Sequence, residues 1–368
     1  MKQERPSKAI KVGGFSHIHQ VQIGGNNPIV IQTMWKDRLS TKNLQDEAEK
    51  IEALRVLGCD LLRFAVPDID AAQTLGQLSE MVSMPLVADI HFDYKIALRC
   101  MDYPIAKIRI NPGNIGSSEK TKIVLEKAAD KNIPIRIGVN AGSLPQDLRS
   151  QVEAGLSTAD ALTQAALREI SIFKDFGFKN YLVSMKASTI ADTISANKKL
   201  SEETDAPLHV GVTEAGPLIA GVSRNTAALL TLLTEGIGDT IRVSLSDSME
   251  SEIIAAREII SAAAQMAPDN SRLKRAGVNI VSCPRCGRAG FDTHGFTNRW
   301  TRKLYAIDRD LSVAIMGCEV NGPIEAKHAD LGITGAGDKV LIFKHGEVIR
   351  TITTDQADAA FEEELGKL

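Results

Sequence analysis

The stretch PIRIGVNAG, residues 134–142, decides the fold of this chain. It is a short, mostly apolar run with polar side chains at Arg136 and Asn140, and turn-forming residues end it. Such a run is typical of a parallel strand that is buried on both faces of a sheet. Seven further runs share this character. They are IVIQTM (29–34), DLLRFAVP (60–67), PLVADIH (85–91), AKIRINPG (106–113), NYLVSMKAS (180–188), PLHVGVTEAG (207–216) and TIRVSLSD (240–247).

The segments between these runs have helical periodicity. After Ser40, apolar residues recur on one face until Gly58, and Ser157 can cap a helix that ends before Gly177. The apolar positions are Leu44, Ala48, Ile51 and Leu54 in the first segment and Leu162, Ala166, Phe173 and Phe176 in the second. Eight strand–helix units in about 250 residues predict a (β/α)8 barrel, whose active site lies at the carboxyl ends of its strands. A doubly wound open sheet is the alternative, but it does not need eight units.

A length of 368 residues exceeds what one hydrophobic core usually fills, so we expect a second, smaller domain. The alternation of strand and helix patterns stops after AAAQMAPDNS (262–271). This change predicts a TIM-barrel substrate-binding domain of residues 1–267 and a small α+β domain of residues 272–368. In the second domain we expect a strand into Cys283, a helix at TNRWTRKLYAID and a strand at SVAIMG. A strand pair turning at His345-Gly346 and a charged helix from Asp355 complete it.

Composition excludes several classes of function. The net charge is −3 without a basic run, which argues against a nucleic-acid or membrane-surface partner. The start of the sequence has no apolar signal segment and no apolar stretch is long enough to span a bilayer, so a cytoplasmic location is expected. Five cysteines at low density fit a reducing compartment and a metal or catalytic role better than a disulfide framework.

Polar residues accumulate at the predicted strand ends. They are Arg63, Asp89, His91, Arg109, Asn111, Arg136, Asn140, Lys186, Glu214, Arg242 and Ser244. Pairs two residues apart on one strand point the same way, so these side chains converge on one cavity. Five of them are cations, and gathering them is costly unless an anion lies among them. A phosphorylated ligand, in particular a diphosphate, is the simplest such anion, because guanidinium forks match phosphate oxygens.

Each of these residues also has a purely structural interpretation. Some of the arginines can pair with Asp68, Asp89 or Glu214, or point outward between strand and helix. Glu214 suits a proton donor or acceptor beside cations, but a structural ion pair is equally consistent with the pattern. His91 can be a packed, hydrogen-bonded histidine rather than a catalytic one.

Three cysteines have metal-ligand spacing. Cys283 and Cys286 form a Cys-x2-Cys turn, and Cys318 opens a later loop, CEVNGP. A structural zinc needs a fourth ligand, for which the candidates are Glu325, His328 and His345. Because a second Cys-x2-Cys is missing, the spacing favours an iron–sulfur cluster on three thiolates, with zinc and free thiols as alternatives. Cys59 and Cys100 stand alone in the barrel segment and are expected to be packed apolar residues.

Seven motifs together resemble one family. They are VADIHFDYKIAL, KIRINPGNIG, PIRIGVNAGSL, GVTEAG, GIGDTIRVSLS, SCPRCGR and MGCEVNGP. In this order, from PIVIQTM to ADLGITG, the chain resembles the 4-hydroxy-3-methylbut-2-enyl diphosphate synthases in their two-domain bacterial form. These are the iron–sulfur enzymes of the methylerythritol phosphate route to isoprenoids.

The resemblance implies a role for each candidate residue. Cys283, Cys286, Cys318 and Glu325 would ligate a [4Fe-4S] cluster, and Glu214 would be the acid/base. The residues around the substrate diphosphate would be Arg63, Arg109, Arg136, Lys186 and Ser244, with Asp89, His91, Asn140 and Arg242 nearby. The resemblance also implies a homodimer in which the cluster domain of one chain covers the barrel of the other.

The implied reaction opens the ring of 2-C-methyl-D-erythritol 2,4-cyclodiphosphate and removes a hydroxyl with two electrons. The electrons would come from flavodoxin or ferredoxin, because the chain has no nucleotide-binding glycine loop. Two positions depart from the family: Ile324 stands where a glycine is usual, and MWKDRLS replaces a loop rich in threonine and asparagine. Two other classes remain. One is a non-redox barrel enzyme with a structural zinc acting on a phosphorylated or pterin-like substrate, and the other is a diphosphate-binding protein without turnover.

Overall fold

Eight parallel strands form the centre of the first unit, Met1–Arg275. The computed structural model describes residues 7–111, 115 and 117–368. The strands of this unit are β1 Ile10–Val12, β2 Val21–Ile23, β3 Val30–Met34, β4 Leu61–Ala65, β5 Leu86–Asp89, β6 Lys107–Ile110, β7 Ile135–Asn140, β8 Tyr181–Lys186, β9 His209–Val210 and β10 Thr240–Ile241. Strands β3 to β10 pair in the order β8-β7-β6-β5-β4-β3-β10-β9, and a bridge between Val183 and Leu208 joins the two ends. The predicted (β/α)8 barrel is confirmed.

Helices follow the barrel strands. They are α1 Leu44–Val56, α2 Ile69–Met81, α3 Tyr94–Cys100, α4 Ser118–Asp130, α5 Gln146–Glu153, α6 Thr158–Asp175, α7 Ile190–Glu203, α8 Leu218–Thr234 and α9 Met249–Met266. The predicted cap is present, since the Ser157 side chain accepts a hydrogen bond from the backbone N–H of Asp160. Phe176 was expected on the buried face, but it is partly exposed because α6 ends at Asp175. Among the described helices, none is long and apolar enough to cross a membrane.

A β-hairpin closes the amino-terminal end of the barrel. Strands β1 and β2 pair antiparallel, and their side chains pack on the first residues of the barrel strands, including Val30 and Leu61. The sequence pattern does not predict this hairpin, because three-residue strands are too short for a periodic signal. With this end filled, the carboxyl ends of the strands are the side on which a ligand can enter.

The last two barrel strands are shorter than predicted. The runs 207–216 and 240–247 contain strands of two residues each, His209–Val210 and Thr240–Ile241. Gly211 explains the early end: its φ is +155°, and a Cβ there would lie 2.2 Å from the Arg242 carbonyl oxygen. The backbones therefore approach too closely to continue a regular ladder with side chains. As a result Glu214, Arg242 and Ser244 lie on loops beyond the strands. The end of the predicted fourth run, residues 112 and 113, lies outside the described residues.

The chain stays bound to the barrel up to Arg275. The Arg272 guanidinium is buried, donates to the carbonyl oxygens of Gly236 and Gly238, and pairs with Asp239 at 2.7 Å. Arg275 pairs with Asp60 at 2.8 Å. These contacts assign the segment after α9 to the barrel unit.

The second unit, Ala276–Leu368, is a five-stranded mixed sheet with two α-helices. Its strands, in sheet order, are β11 Val278–Ser282, β12 Leu311–Met316, β13 Leu331–Ala336, β14 Lys339–Lys344 and β15 Glu347–Ile352, and its helices are α10 Thr293–Tyr305 and α11 Ala357–Leu365. The aromatic side chains of Phe296, Trp300 and Phe361 form the centre of its core. The predicted turn is present, with positive φ at His345 and Gly346. Strand β13 was not predicted, since its small residues give a weak strand signal.

Candidate functional site

Cationic side chains form a layer inside the carboxyl end of the barrel. The strand register pairs Asp89 with Arg109, and Arg109 with Arg136, across three neighbouring strands. Asn140 pairs with Lys186 across β7 and β8. Arg109, Arg136 and Lys186 are 4%, 2% and 6% exposed, so the cations are buried within the barrel rather than spread over its rim.

Asp89 holds two of the arginines. The Arg109 Nη1 donates to Asp89 Oδ1 at 3.0 Å and lies 2.9 Å from His91 Nε2, and the Arg63 Nε lies 3.5 Å from Asp89 Oδ2. Burial by itself raises the pKa of Asp89. The His91 hydrogen bond and the charges of Arg63 and Arg109 outweigh burial, so the pKa lies well below its usual value. Asp89 is therefore a fixed carboxylate that orients two guanidinium groups.

A glycine makes room for one of these guanidinium groups. A Cβ at Gly138 would lie 2.4 Å from the Arg109 Nε and 2.8 Å from its Nη2. A side chain at position 138 would therefore force the Arg109 guanidinium to shift. The sequence shows an interior glycine in PIRIGVNAG. Only the packing shows that this position must be a glycine to leave space for Arg109.

Arg136 and Lys186 have nitrogen atoms without hydrogen-bond partners among the described residues. These atoms are the Lys186 Nζ and the Arg136 Nε and Nη1. Burial, followed by the nearby charges of Arg242 and Arg136, lowers the pKa of Lys186 well below its usual value. Burial, followed by Arg63 and Arg109, does the same to the pKa of Arg136. Unpartnered buried cations are costly, and an anionic ligand offsets that cost.

A second buried carboxylate, Glu252, pairs with Arg242. Its Oε1 lies 3.5 Å from Arg242 Nη2 and 3.1 Å from Lys36 Nζ. Sequence analysis missed both Glu252 and Lys36, because Glu252 lies in the first turn of α9 and Lys36 in the loop after β3, away from the strand-end pattern. An acidic residue in the first turn of a helix has no distinctive pattern, since such residues are common there.

Four barrel candidates remain, of which Asn111 follows β6 and is buried. Asn140 ends β7 and Ser244 follows β10, and both are half-buried. Glu214 is exposed on the loop after β9 and has a φ of +52°. A left-handed backbone at a residue other than glycine is strained and is found preferentially at functional positions.

Beneath the cations lies a second polar layer that sequence analysis also missed. The Lys107 Nζ is fully buried and donates to Gln32 Oε1 at 3.2 Å. His209 is fully buried, with its Nδ1 3.3 Å from the Thr240 hydroxyl. Burial, followed by Arg136 and the neighbouring lysines, lowers the pKa of His209 well below its usual value. The interior of the barrel is thus polar over two layers.

In the second unit, the cysteines lie on neighbouring loops. Cys283 follows β11 and Cys318 follows β12, and these two strands are parallel and adjacent. The Cys283 Sγ lies 3.8 Å from where a Cβ on Gly317 would be, beside Cys318 in the chain. Cys318 is buried, whereas Cys286 is exposed on the turn after Cys283.

These loops suit a multinuclear cluster. Glu325 is exposed at the end of a π-helix, Val320–Glu325, a conformation frequent at functional sites. Within residues 7–111, 115 and 117–368, no group of three or more His, Cys, Asp or Glu side chains is arranged to hold a metal ion. The three thiols on these two adjacent loops are of the kind that iron–sulfur clusters use as ligands.

The other two cysteines belong to the barrel core. Cys59 and Cys100 are buried, and burial raises the pKa of each thiol to about 12. The Cys59 Sγ also contacts the Leu61 carbonyl oxygen at 3.1 Å. Both side chains are packed apolar residues, as expected from the sequence.

Comparison with known proteins gives matches along nearly the whole chain. The family model described as the GcpE TIM-barrel domain matches residues 15–257, and that of the GcpE protein C-terminal domain matches residues 279–367. A protein of Treponema denticola named 4-hydroxy-3-methylbut-2-en-1-yl diphosphate synthase (flavodoxin) is 48% identical over 388 residues, covering 98% of each chain. The protein of that name from Thermodesulfovibrio yellowstonii is 40% identical and covers 100% of each chain.

Solved structures with low sequence identity are similar to part of this chain. A type I 3-dehydroquinate dehydratase from Clostridium difficile is 12% identical, with a TM-score of 0.49, and covers 72% of this chain and 99% of its own. The family matches are much broader, because the two models together extend from residue 15 to residue 367. The chain therefore belongs to the GcpE family.

Proposed function

We propose that this chain converts 2-C-methyl-D-erythritol 2,4-cyclodiphosphate to 4-hydroxy-3-methylbut-2-enyl diphosphate in isoprenoid biosynthesis. The observation that carries this proposal is the pair of buried cations, Arg136 and Lys186, with atoms that lack partners among the described residues. Lys186 ends β8, and the charge of Arg136 lies close enough to lower the pKa of Lys186, so the pair suits a ligand with two linked phosphates. The names of the relatives, which share up to 48% of their residues with this chain, support the same reaction.

The charge of the site favours ring opening. A cyclic diphosphate has one ionisable oxygen on each phosphorus, and breaking one C–O bond of the ring creates a further oxyanion. The second pKa of a phosphate monoester is about 6, so this oxygen is largely ionised at neutral pH. Arg136 and Lys186 therefore stabilise the developing anion more than the closed ring, which is the condition for lowering the barrier.

The paired arginines orient the substrate. Because Asp89 fixes Arg63 and Arg109, their N–H groups do not need to reorganise when the ligand binds. We assign His91, Asn140, Arg242 and Ser244 to the same binding surface, and Glu214 to proton transfer.

The reaction breaks one ring C–O bond and one carbon–hydroxyl bond and forms a C=C bond with two electrons. The hydroxyl leaves as water after accepting a proton, for which Glu214 is the proposed donor.

The second unit would hold the cofactor. We assign Cys283, Cys286, Cys318 and Glu325 as the ligands of a [4Fe-4S] cluster, which when bound supplies electrons one at a time. A carboxylate is a weaker ligand for iron in a sulfur-rich site than a thiolate, so Glu325 is the ligand that can be exchanged. In this division the barrel is the substrate-binding domain and the α+β unit is the cluster domain.

Three further assignments belong to the same proposal. The names of the relatives support flavodoxin as the electron donor, with ferredoxin as the alternative. We infer a homodimer in which the cluster domain of one chain serves the barrel of the other, and a cytoplasmic location.

Anaerobic purification followed by iron and sulfide analysis and by turnover tests this proposal. The expected result is about four irons per chain and formation of 4-hydroxy-3-methylbut-2-enyl diphosphate with reduced flavodoxin. Glu214→Gln should keep the iron content and lose turnover, whereas normal turnover would remove Glu214 from proton transfer. A zinc-loaded, colourless protein would overturn the redox reaction and favour the non-redox barrel enzyme.

A further inference from the structure

Glu252 is a buried carboxylate to which neither the sequence patterns nor the proposed reaction assigns a role. It lies in the first turn of α9, whose N-cap is Ser248, and it is 1% exposed. A carboxylate near a helix N-terminus is favoured by the helix dipole, but this effect alone does not offset complete burial. Its contacts with other segments must therefore account for it.

These contacts join the loops after the first and the last barrel strands. Glu252 Oε2 accepts a hydrogen bond from the Thr33 hydroxyl on β3, and Oε1 accepts from the Leu245 backbone N–H at 3.0 Å. The Oε1 also lies 3.1 Å from Lys36 Nζ and 3.5 Å from Arg242 Nη2. Lys36 strengthens the link, since its Nζ donates to the Leu245 carbonyl oxygen at 2.9 Å.

The linked segment carries two proposed substrate residues. Arg242 is bound to Glu252 through its guanidinium, and Ser244 immediately precedes the Leu245 N–H that Glu252 accepts from. Glu252 contacts the guanidinium at Nη2, whereas the Arg242 Nε is buried and has no hydrogen-bond partner within the described parts of the chain. A ligand anion can use that free N–H.

We propose that Glu252 is a positioning residue, which holds Arg242 and the backbone at Ser244 and Leu245 in the geometry that binds the substrate diphosphate. This inference rests on the proposed function, because it assigns Arg242 to the diphosphate site. Glu252 acts through these groups and does not itself contact the anion.

Electrostatics and positioning predict opposite effects of removing the charge. Glu252→Gln makes the barrel one charge more positive, so a purely electrostatic role predicts tighter anion binding. Loss of positioning predicts weaker binding, because the ion pairs to Arg242 and Lys36 are lost and the guanidinium can leave the site. A purely structural role predicts a lower Tm and no change in affinity.

Calorimetric titration of the holoprotein with inorganic diphosphate, below the Tm of every variant, separates these outcomes. We expect Glu252→Gln to raise the Kd about tenfold, the scale of a lost hydrogen bond to a charged group. The same substitution in an Arg242→Gln background should add little, because both changes remove one interaction. Equal or tighter binding by Glu252→Gln, or full additivity, would overturn the proposal.

Two further variants keep the test decisive. Thr33→Val removes the hydroxyl that donates to Glu252 while preserving side-chain shape, and it should weaken diphosphate binding even if Glu252→Gln does not fold. Asp239→Asn is the matched control, because Asp239 is a buried carboxylate at the amino end of β10 that pairs with Arg272. It should lower the Tm without changing the Kd. If wild-type protein does not bind diphosphate, the proposed function fails. If wild type binds diphosphate and the Thr33 and Glu252 variants bind it equally tightly, the positioning role fails and the proposed function stands.

Discussion

Replacing Lys186 with methionine should make the ligand-free protein more stable. Lys186 is 6% exposed at the end of β8, and its Nζ has no hydrogen-bond partner in the described residues. Arg136 and Arg242 add to the effect of burial in disfavouring its charge. Methionine keeps the length of the side chain and removes the polar nitrogen, so packing is retained while the unfavourable burial is relieved.

The magnitude follows from the cost of buried charge. Replacing buried ionic groups by apolar residues of similar size stabilises proteins by about 1–4 kcal/mol when packing is preserved. For a domain of this size, 1 kcal/mol corresponds to a change in Tm of about 2–4 °C. We therefore expect Lys186→Met to raise the Tm of the barrel transition by at least about 2 °C.

Inorganic diphosphate should reduce this difference in stability. A ligand at 100 times its Kd stabilises the native state by about 2.7 kcal/mol, and this gain falls as the Kd rises. Wild type should therefore show a large increase in Tm with diphosphate, and Lys186→Met a small one. Thermal unfolding of the full chain, with and without diphosphate, measures both effects.

Stability should also depend on pH through Lys186. Its pKa in the folded chain lies well below 10.5, so the unfolded chain binds more protons between these two values. Wild-type stability therefore rises with pH as pH approaches 10.5, and this slope should be smaller in Lys186→Met.

Lys198→Met is the control for Lys186→Met. Lys198 forms a partly exposed ion pair with Glu235 at 2.6 Å, and such pairs contribute about 0–1 kcal/mol. This variant should be no more stable than wild type and should keep the full response to diphosphate. If Lys186→Met has a lower Tm than wild type and keeps the diphosphate response, the argument from an unpartnered buried cation is wrong.

Three further predictions follow from the packing. Gly138→Ala should weaken diphosphate binding about tenfold, on the scale of a lost charged hydrogen bond, because its Cβ would lie 2.4 Å from the Arg109 Nε. Gly142→Ala is the control in the same titration, because no atom lies within 4 Å of its Cβ. The free energy of unfolding of the wild type should fall as pH drops below 6.5, because folded His209 stays neutral while the unfolded residue gains a proton. In His209→Gln this decrease should be smaller by up to about 1.4 kcal/mol per pH unit, as measured by urea titrations. Cys283→Ser should lower the iron content per chain in chemical analysis while leaving the thermal unfolding of the barrel unchanged, and unaltered iron content would remove Cys283 from the ligand set.

Local sequence patterns were sufficient to predict much of the barrel. The β-branched runs carry their own strand signal, and the Ser157 cap and the His345-Gly346 turn depend on residues close in sequence. The N-terminal hairpin and strand β13 were missed because their short or small-residue strands depend on the packing partner rather than on periodicity.

By itself, the sequence determined the eight strand–helix units, the accumulation of cations at strand ends and the Cys-x2-Cys loop with its later third thiol. These are properties of residue type and spacing, which do not depend on contacts between distant segments. The tertiary structure decided which cations are neutralised. Asp89 pairs with Arg63 and Arg109. Glu252 pairs with Arg242, which follows β10, and with Lys36, which lies in the loop after β3. It also decided that Lys186 is buried without such a partner in the described chain. The reason is physical, because the free energy of a charge depends on its burial and on the distance to other charges, and both are set by strand register and barrel closure.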